Sequence, residues 1–436
     1  MGLIRTSKHS TKSSLLPSKS KSSFSTPTYS ASQTMKTTIK IYGVSLSLIL
    51  INLAAIMERA DENLLPSVYK EVSEAFNAGP SDLGYLTFIR NFVQGLSSPL
   101  AGCVLESDKR IWFGNWGIGG GVMATVMAGQ TFWGVQGWRC AFVLMASLSA
   151  LIGILVLLYV DDPKKRFSPT QDASDSSERG DSIYNGNASV TSVWRHSWAA
   201  TKSVIKVQTF QIIVLQGIIG SLPWTAMVFF TMWFELIGFD NNSSATLLSL
   251  FAIGCALGSF IGGSIADRLT QTYPYSGRIM CAQFSAFMGI PFSWFLLRVI
   301  PQSVTSFLTF SITLFFMGLT ISWNGTAANA PMFAEVVPVK HRTMIYAFDR
   351  AFEGSFSSVA APLVGILAEK MFGYNSKSVD PIKGSSPEAL ALSKGLLSMM
   401  AVPFGLCCLC YTPLYFIFKK DRENARMQVI KEEEMM

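Results

Sequence analysis

The sequence predicts an all-α, polytopic membrane protein of two helix bundles, with roughly ten transmembrane helices arranged as four plus six. Three observations support this fold class. Only 14% of the 436 residues are charged, whereas soluble proteins contain about 25%. Hydrophobic residues make up 49% of the chain, with 31 Phe and 10 Trp among the aromatic residues. Apolar runs of roughly 20 residues, the length that crosses the ~30 Å hydrocarbon core of a bilayer, recur along the chain.

Residues 1–38 are predicted to form a disordered, cytosolic tail, because they are basic and rich in Ser and lack Asp and Glu. Two targeting interpretations stand beside a plain tail. A basic, Ser-rich, acid-free start is typical of an organellar transit peptide. The segment from Met1 to Thr6 also fits the pattern for N-myristoylation.

Residues 39–160 are predicted to form a first bundle of four spans, since four apolar runs there reach membrane-spanning length. These runs cover approximately 39–57, 83–105, 112–132 and 138–160. Residues 161–206 are polar and rich in Ser, Asp and Asn, which is typical of a flexible linker, here predicted to be cytosolic.

Residues 207–419 are predicted to form a second bundle of six spans by the same length criterion. The six runs cover approximately 208–234, 245–266, 279–298, 303–326, 344–368 and 395–418. Residues 420–436 are polar and are predicted to form a second cytosolic tail.

Connections rich in Lys and Arg alternate with connections poor in them, and basic connections face the cytosol in membrane proteins. This alternation predicts that both termini are cytosolic. The basic residues therefore act as orientation signals, and we predict membrane lipids but no nucleic acid as partners. We expect the resident membrane to be the plasma membrane or an endomembrane, such as that of the vacuole or an endosome. An organellar envelope is the alternative if the first residues are a transit peptide.

Five polar side chains interrupt or follow the first two apolar runs: Glu58, Arg59, Asp61, Arg90 and Gln94. Such residues in membrane segments usually face a bundle interior or a wet cavity and mark an ion or substrate path. We therefore predict that these five take part in coupling or line a substrate cavity. The alternative is an interfacial cluster where the first helix leaves the bilayer. Arg90, about two turns into its span, requires a partner, and Glu58 or Asp61 is nearest by helix order.

In the second bundle, Trp224, Asn324 and Asn329 lie near Gly or Pro and are predicted to line the same cavity. Ordinary helix packing is the alternative for each of them. Glu235, near the end of the first span of this bundle, is predicted to be interfacial.

Asp349, Arg350 and Glu353 lie in the first turns of the fifth span of the second bundle. Asp349 and Glu353 are four residues apart and share a helical face. We predict a gating or coupling cluster opposite Arg90 or Glu58. A pair that reaches out of the membrane at the cytosolic boundary is the alternative.

Gly254, Gly258 and Gly262 recur every four residues and lie on one helix face. Small residues at this spacing let two membrane helices approach closely. We predict that these glycines pack against a neighbouring helix and carry no information about the substrate.

Neither a catalytic site nor a cofactor or metal site is predicted. The three His lie in predicted cytosolic segments, and the seven Cys do not have the spacing of a metal site. The glycines at 117–121 lie in an apolar span that no strand precedes, which excludes a dinucleotide-binding loop. The sequence therefore does not predict an enzyme.

The connection after the glycine-rich helix carries Asp267 and Arg268, and Arg278 stands at the start of the next helix. This arrangement resembles the signature loop of the major facilitator superfamily, in which charge pairing locks neighbouring helices in one access state. A pair between helix ends must break when the two halves of a transporter rock. The resemblance implies that these three residues act in gating, with an ordinary cytosolic anchor as the alternative.

Three further segments extend the resemblance. Gly-Trp-Arg at 137–139 resembles the start of the sixth helix of the superfamily, and 335–342 resembles its loop between helices ten and eleven. Glu-Arg followed by Asn-Leu-Leu-Pro, within 58–66, resembles the Spinster-like branch, and most closely its plant members. The resemblance covers about residues 40–419 and implies a transporter built from two halves.

The first half departs from the twelve-helix pattern of the superfamily. Only residues 106–111 remain between the second and third predicted spans, where the family has its helices three and four. Asp-Lys-Arg at 108–110 resembles a remnant of the first-half signature loop. We therefore expect that the chain lacks helices three and four.

Two functional hypotheses follow. The first is a secondary active transporter of a small amphipathic or organic molecule, a lipid or an organic anion, working by alternating access. A proton on Glu58 is the proposed coupling ion, because burial beside Arg59 or Arg90 would make its charge depend on conformation. The second hypothesis, prompted by the missing helices, is a truncated, non-transporting membrane protein that binds or regulates a full-length relative.

Overall fold

The computed structural model describes residues 40–41, 44–104, 118–132, 134–159, 207–337, 342–375 and 386–435. Two short antiparallel hairpins are present: β1 (Lys40–Ile41) with β2 (Val44–Ser45), and β3 (Thr131–Phe132) with β4 (Val135–Gln136). All other regular elements within these residues are helical. The predicted all-α fold class is therefore confirmed.

The described part of the first half contains five helices: α1 (Leu46–Leu64), α2 (Tyr69–Phe76), α3 (Pro80–Val104), α4 (Ile118–Ala128) and α5 (Gly137–Tyr159). A short 3-10 turn, Pro66–Val68, joins α1 to α2. Proline suits this place, since the first turn of a helix leaves its N–H groups without helical partners. Asn77 ends α2 in the left-handed conformation, with φ of 50°, and the chain then reverses into α3.

The described part of the second half contains ten helices: α6 (Gln208–Ala226), α7 (Phe230–Ile237), α8 (Asn241–Thr272), α9 (Gly277–Trp294), α10 (Phe307–Ile321), α11 (Ala330–Val336), α12 (Arg342–Ser357), α13 (Ala360–Ile366), α14 (Ser386–Cys410) and α15 (Leu414–Met435). Three π-helical segments lie beside them: Phe295–Val299 after α9, Asn324–Asn329 before α11 and Leu367–Met371 after α13. Insertions of this kind often occur at functional sites.

Seven helical segments within the described residues are long and apolar enough to cross a membrane: Gly137–Tyr159, Gln208–Ile237, Asn241–Thr272, Gly277–Val299, Val304–Ile321, Ile345–Met371 and Pro387–Cys410. Six belong to the second half, and each overlaps one of the six spans predicted there. The last prediction, 395–418, is displaced, because α14 begins at Ser386 and ends at Cys410. Pro413 follows that end and lacks the N–H needed to continue a helix.

The predicted first span, 39–57, is wrong at both ends. The hairpin of β1 and β2 occupies its start, and the helical path runs from Leu46 through the 3-10 turn to Phe76. Glu58 therefore lies ~18 Å along this path, not at its end. The sequence criterion fails here because it counts each charge as unpaired, whereas Arg59 pairs with Glu62 and Asp61 pairs with Arg90.

The two halves meet along three contacts. α3 packs against α12 and α13, α4 packs against α8, and α2 with the preceding 3-10 turn packs against α7. We call one end of this interface the Asn77 end, where α2 turns into α3 and α7 turns into α8. The opposite end, where α8 turns into α9 and α14 into α15, is the Arg278 end.

Glycines permit the closest of these approaches. A Cβ at Gly84 of α3 would lie 2.6 Å from the Cα of Pro362 in α13, so a side chain there would separate the halves. In the second half, Gly254 and Gly258 face α10, and Gly262 faces Trp323, two residues beyond the end of α10. A Cβ at each would lie within 2.4 Å of an atom there. Gly254 and Gly258 thus lie where two helix backbones nearly touch, whereas Gly262 makes room for the side chain of Trp323.

Several predictions concern residues outside the described ranges. They include the tail 1–38, the linker 161–206, the Asp-Lys-Arg segment 108–110 and the whole connection between α3 and α4. The absence of helices three and four therefore stays a prediction.

Candidate functional site

A cavity of about 590 Å³ lies between the two halves, a volume typical of a site for a small organic molecule. α1, the 3-10 turn and α3 form one wall. α6, α8, the π-helical segment Asn324–Asn329 and α12 form the other. The polar side chains of the first wall are Arg59, Glu62, Asn63, Thr87, Arg90 and Asn91.

Two arginines organise the first wall. Arg59 donates from Nη1 to Oε2 of Glu62, one turn along α1, at 2.6 Å. Arg90 of α3 donates from Nη1 to the backbone oxygen of Glu62 at 2.6 Å and from Nη2 to Oδ2 of Asp61 at 3.2 Å. Asp61 is one of the two partners predicted for Arg90. These bonds join α3 to α1 and hold the two guanidinium groups at the cavity.

A hydrogen-bonded chain organises the opposite wall. Nδ2 of Asn329 donates to Oε1 of Gln216 at 2.8 Å, and the hydroxyl of Tyr411 donates to Oδ1 of Asn329 at 2.8 Å. Gln216 is buried in α6, and Tyr411 follows α14. The three side chains connect three separate elements, which fixes the amide of Asn329 beside the cavity.

The cluster on α12 also faces the cavity. Nη1 of Arg350 donates to Oε2 of Glu353 at 2.9 Å, while Asp349 is buried. All three residues line the cavity, and none of them pairs with Arg90 or Glu58 within the described contacts. Gly217 of α6 makes room for this cluster, since a Cβ there would lie 2.3 Å from Oε1 of Glu353.

Four buried polar atoms of the cavity-lining residues have no hydrogen-bond partner among the described residues: Oδ1 of Asn91, Oγ of Ser322, Oδ1 of Asn324 and Oδ1 of Asp349. Buried polar atoms in proteins are nearly always hydrogen-bonded. Three of the four are acceptors, so a ligand with hydrogen-bond donors complements them.

Aromatic side chains supply the apolar part of the lining. The ring centroid of Trp224 lies 6.1 Å from that of Phe251, and Phe333 stacks on Tyr346 at 4.5 Å. All four residues line the cavity. Arginines and carboxylates beside aromatic rings match a ligand with a polar head and an apolar body.

Glu58, Asp61 and Gln94, three of the predicted cavity residues, do not line the cavity. Glu58 is exposed on α1, on a different side from Arg59. Asp61 acts on the cavity only through Arg90. Of the eight residues predicted for this site, the structure thus brings five together around one space: Arg59, Arg90, Trp224, Asn324 and Asn329.

The residues predicted from the signature loop lie at the Arg278 end. Nη2 of Arg278 donates to Oδ1 of Asp267 at 2.9 Å, and its Nη1 donates to the backbone oxygen of Ala327 at 2.9 Å. Arg268 is exposed beside them. The described contacts of this group stay within the second half.

Glu62, Asn63 and Gln216 are cavity residues that the sequence prediction missed. Glu62 belongs to the same charged stretch as Glu58 and is one helical turn beyond Arg59, so pairing with Arg59 was a usable signal. Gln216 is the only amide within an otherwise apolar stretch of α6, which was a second usable signal.

At the Asn77 end, polar contacts cross between the halves. Nδ2 of Asn241 donates to Oε1 of Glu71 at 2.9 Å and to the backbone oxygen of Thr125 at 3.1 Å. The backbone N–H of Ser81 donates to Oε1 of Glu369 at 3.0 Å, and the Ser81 hydroxyl donates to the other carboxylate oxygen. Glu369, from the second half, therefore caps the first turn of α3 in the first half.

Glu235, which was predicted to be interfacial, lies two residues before the end of the helical segment Gln208–Ile237. Its side chain is only 2% exposed, because α2 packs over α7 at the Asn77 end. No helix was predicted between the first two spans, so the covering of Glu235 by α2 was not expected.

Comparisons with known proteins agree with this architecture. The sequence model of the Major Facilitator Superfamily matches residues 111–322. Among solved structures, one similar chain is a bacterial homologue of the human lysosomal transporter Spinster, in an inward-facing and unoccupied conformation. The similarity has a TM-score of 0.59 at 12% identity and covers 86% of this chain and 98% of that chain. No curated protein matches the sequence. At this level of identity the structural likeness concerns the fold. Residues 111–322 are thus similar to the major facilitator superfamily, and the chain has the all-α, multi-pass membrane fold of a bacterial Spinster homologue.

Proposed function

We propose that the chain is a secondary active transporter that carries a small amphipathic molecule, a lipid or an organic anion, through the cavity between its halves. One observation carries the proposal: buried polar atoms without partners, paired arginines and aromatic rings all line a single space at the interface of the halves. A transporter of this fold binds its substrate at such an interface, where each half contributes one wall.

The charged residues that line the cavity indicate where the head group of the substrate binds. Its lining contains three arginines and three carboxylates: Arg59, Arg90, Arg350, Glu62, Asp349 and Glu353. Arg59 and Arg350 each have a carboxylate partner in the lining, whereas the carboxylate that pairs with Arg90, Asp61, lies outside it. We therefore assign the head group of the substrate to the side of Arg90 and its apolar body to Trp224 and Phe251.

Uptake into proteoliposomes tests the proposal. Labelled lipids and labelled small organic anions are offered separately, with protein-free liposomes as the background. We expect one class to move faster than the background and Arg90→Gln to abolish that uptake. Arg298→Gln is the matched control, because it removes the same charge from an exposed position outside the cavity. Full uptake by Arg90→Gln, or no uptake of either class, would overturn the proposal.

The coupling ion is tested by repeating the uptake with and without a pH gradient. Glu58 lies outside the cavity and is exposed, so its geometry does not support the coupling role expected from the sequence. We expect Glu58→Gln to keep whatever dependence on the gradient the parent protein shows.

The second hypothesis, a non-transporting protein that binds a full-length relative, stays a prediction. It depends on the connection between α3 and α4, which lies outside the described residues. Co-purification with a twelve-helix relative, together with absence of uptake, would favour it over transport.

A further inference from the structure

Glu235 is a buried carboxyl group without hydrogen-bond partners among the described residues. It lies two residues before the end of α7, at the Asn77 end, with 2% of its side chain exposed. Both carboxylate oxygens are buried and accept no hydrogen bond from the described residues. Trp233, two residues earlier, also buries its Nε1 without a partner. Buried polar groups nearly always have a hydrogen-bond partner, so this carboxyl group requires an explanation.

The groups that face Glu235 come from the other half of the protein. Among the described residues, those that act on it electrostatically are Glu71, Glu74 and Lys70, all on α2. The described residues of the other elements that pack on α7, chiefly α8 and α14, add no ionised group to this set. Glu71 has the same charge as Glu235 and is the stronger of the two acidic neighbours. One of its own oxygens, Oε2, is also buried without a partner.

Two carboxyl groups with buried, unpartnered oxygens therefore lie in the buried region where α2 packs on α7. Asn241 holds Glu71 there by its hydrogen bond to Oε1, so Glu71 cannot turn away while the end is closed. An ionised carboxylate without a hydrogen-bond donor is strongly disfavoured in such a space, and a second negative charge nearby disfavours it further. A proton on one oxygen removes the charge and supplies an O–H donor to the neighbouring carboxylate.

We propose that Glu235 is a proton-binding site, protonated while the Asn77 end is closed and deprotonated when that end opens. Opening separates α2 from α7 and admits water, which stabilises the carboxylate and accepts its proton. Closing takes a proton back from the solution at the Asn77 end, so one proton enters and leaves in each cycle and no other reactant is needed. The physiological meaning of the site rests on the proposed transport function, because only a rocking protein opens this end.

The test measures opening without a substrate. Spin labels are placed at Thr131 in the first half and at Met371 in the second half, two exposed positions at the Asn77 end. The protein is reconstituted in nanodiscs, in a background without native cysteines, and the distance distribution is recorded by double electron–electron resonance from about pH 5 to about pH 9. We expect higher pH to increase the population with the longer distance. Glu235→Gln, which is permanently neutral, should lose this pH-dependent shift and stay closed. Glu58→Gln is the matched control, because it neutralises an exposed carboxylate that is not among the groups acting on Glu235, and it should keep the shift.

A second measurement serves if Glu235→Gln does not fold. Infrared difference spectra of the parent protein, with 13C-labelled glutamate, should show a buried protonated carboxyl band that disappears at the pH where the distance changes. The proton site is refuted if Glu235→Gln retains the parent's shift, or if the parent shows neither a shift nor such a band. A failure to transport any substrate would count against the proposed function alone, since neither readout uses a substrate.

Discussion

The two ends of the interface between the halves are held in different ways. At the Asn77 end, Glu369 of the second half caps α3 of the first half, and Asn241 of the second half binds Glu71 of the first. At the Arg278 end, the described ion pairs, Asp267 with Arg278 and Glu335 with Arg422, stay within the second half. Among the described residues, contacts between the halves must break to open the Asn77 end, whereas the ion pairs at the Arg278 end can stay intact while the halves move.

Bonds between the halves and bonds within one half should affect different properties of the protein. A bond that crosses between halves contributes to one conformation only, so removing it changes the population of conformations. A bond within one half contributes to both conformations and, when removed, changes the free energy of unfolding instead. The variants below exploit this distinction.

Locking the Asn77 end should have the largest effect. Ser81→Cys with Glu369→Cys, joined by a short bifunctional thiol reagent, links the two halves at this end. We expect uptake of the transported substrate to fall to the background of protein-free liposomes and to return when the link is reduced. Asp267→Cys with Arg278→Cys, joined by the same reagent, is the control within one half and should leave uptake largely intact. Uptake that survives the Ser81–Glu369 link would show that this end need not open.

Arg422→Ala should have the largest effect on stability. Arg422 is mostly buried, binds Oε2 of Glu335 at 2.7 Å, donates to the backbone oxygen of Pro274 at 2.8 Å and lies over the ring of Tyr275. Loss of these bonds should cost about 1–3 kcal/mol of the free energy of unfolding, seen as a thermal midpoint a few degrees lower. The spin-label distances across the Asn77 end should not change, and a shift in them would break the distinction between the two ends.

Glu369→Gln should shift conformation with little loss of stability. The amide keeps the shape of the side chain but removes the negative charge from the first turn of α3. This charge stabilises the closed conformation by roughly 1 kcal/mol. Its loss should lower the ratio of protein with a closed Asn77 end to protein with an open one by about five-fold. The spin-label measurement reads this ratio directly. Asp267→Asn is the matched change at the Arg278 end, and an equal shift in that variant would contradict the assignment of the cap to gating.

The sequence predicted the second half far better than the first. Its six spans follow from apolar runs of membrane length, because these helices carry few charged residues. In the first half, hydropathy ended the first span at Met57, although the helix continues past Arg59 and Glu62. Those charges neutralise one another in three dimensions, which no sliding window detects.

The residues of the candidate site also differ in how well the sequence predicted them. Arg59 and Arg90 were predicted because an ionised group inside a membrane helix needs a wet or paired environment. The chain of Gln216, Asn329 and Tyr411 was not, since its members are far apart in sequence and meet only in the fold. The burial of Glu235 was not predicted for a third reason: it depends on α2, a helix that the search for membrane-length apolar runs did not include.

The most direct test of the central claim, one cavity that opens at alternate ends, is the accessibility of Ser221→Cys to a membrane-impermeant thiol reagent. Ser221 lines the cavity from α6, and native cysteines are replaced in this background. In the freely moving protein the reagent should react from either side of the membrane. With Ser81 and Glu369 linked through cysteines, it should react only from the side of the Arg278 end. Reaction from the side of the Asn77 end in the linked protein, or from neither side, would contradict the account.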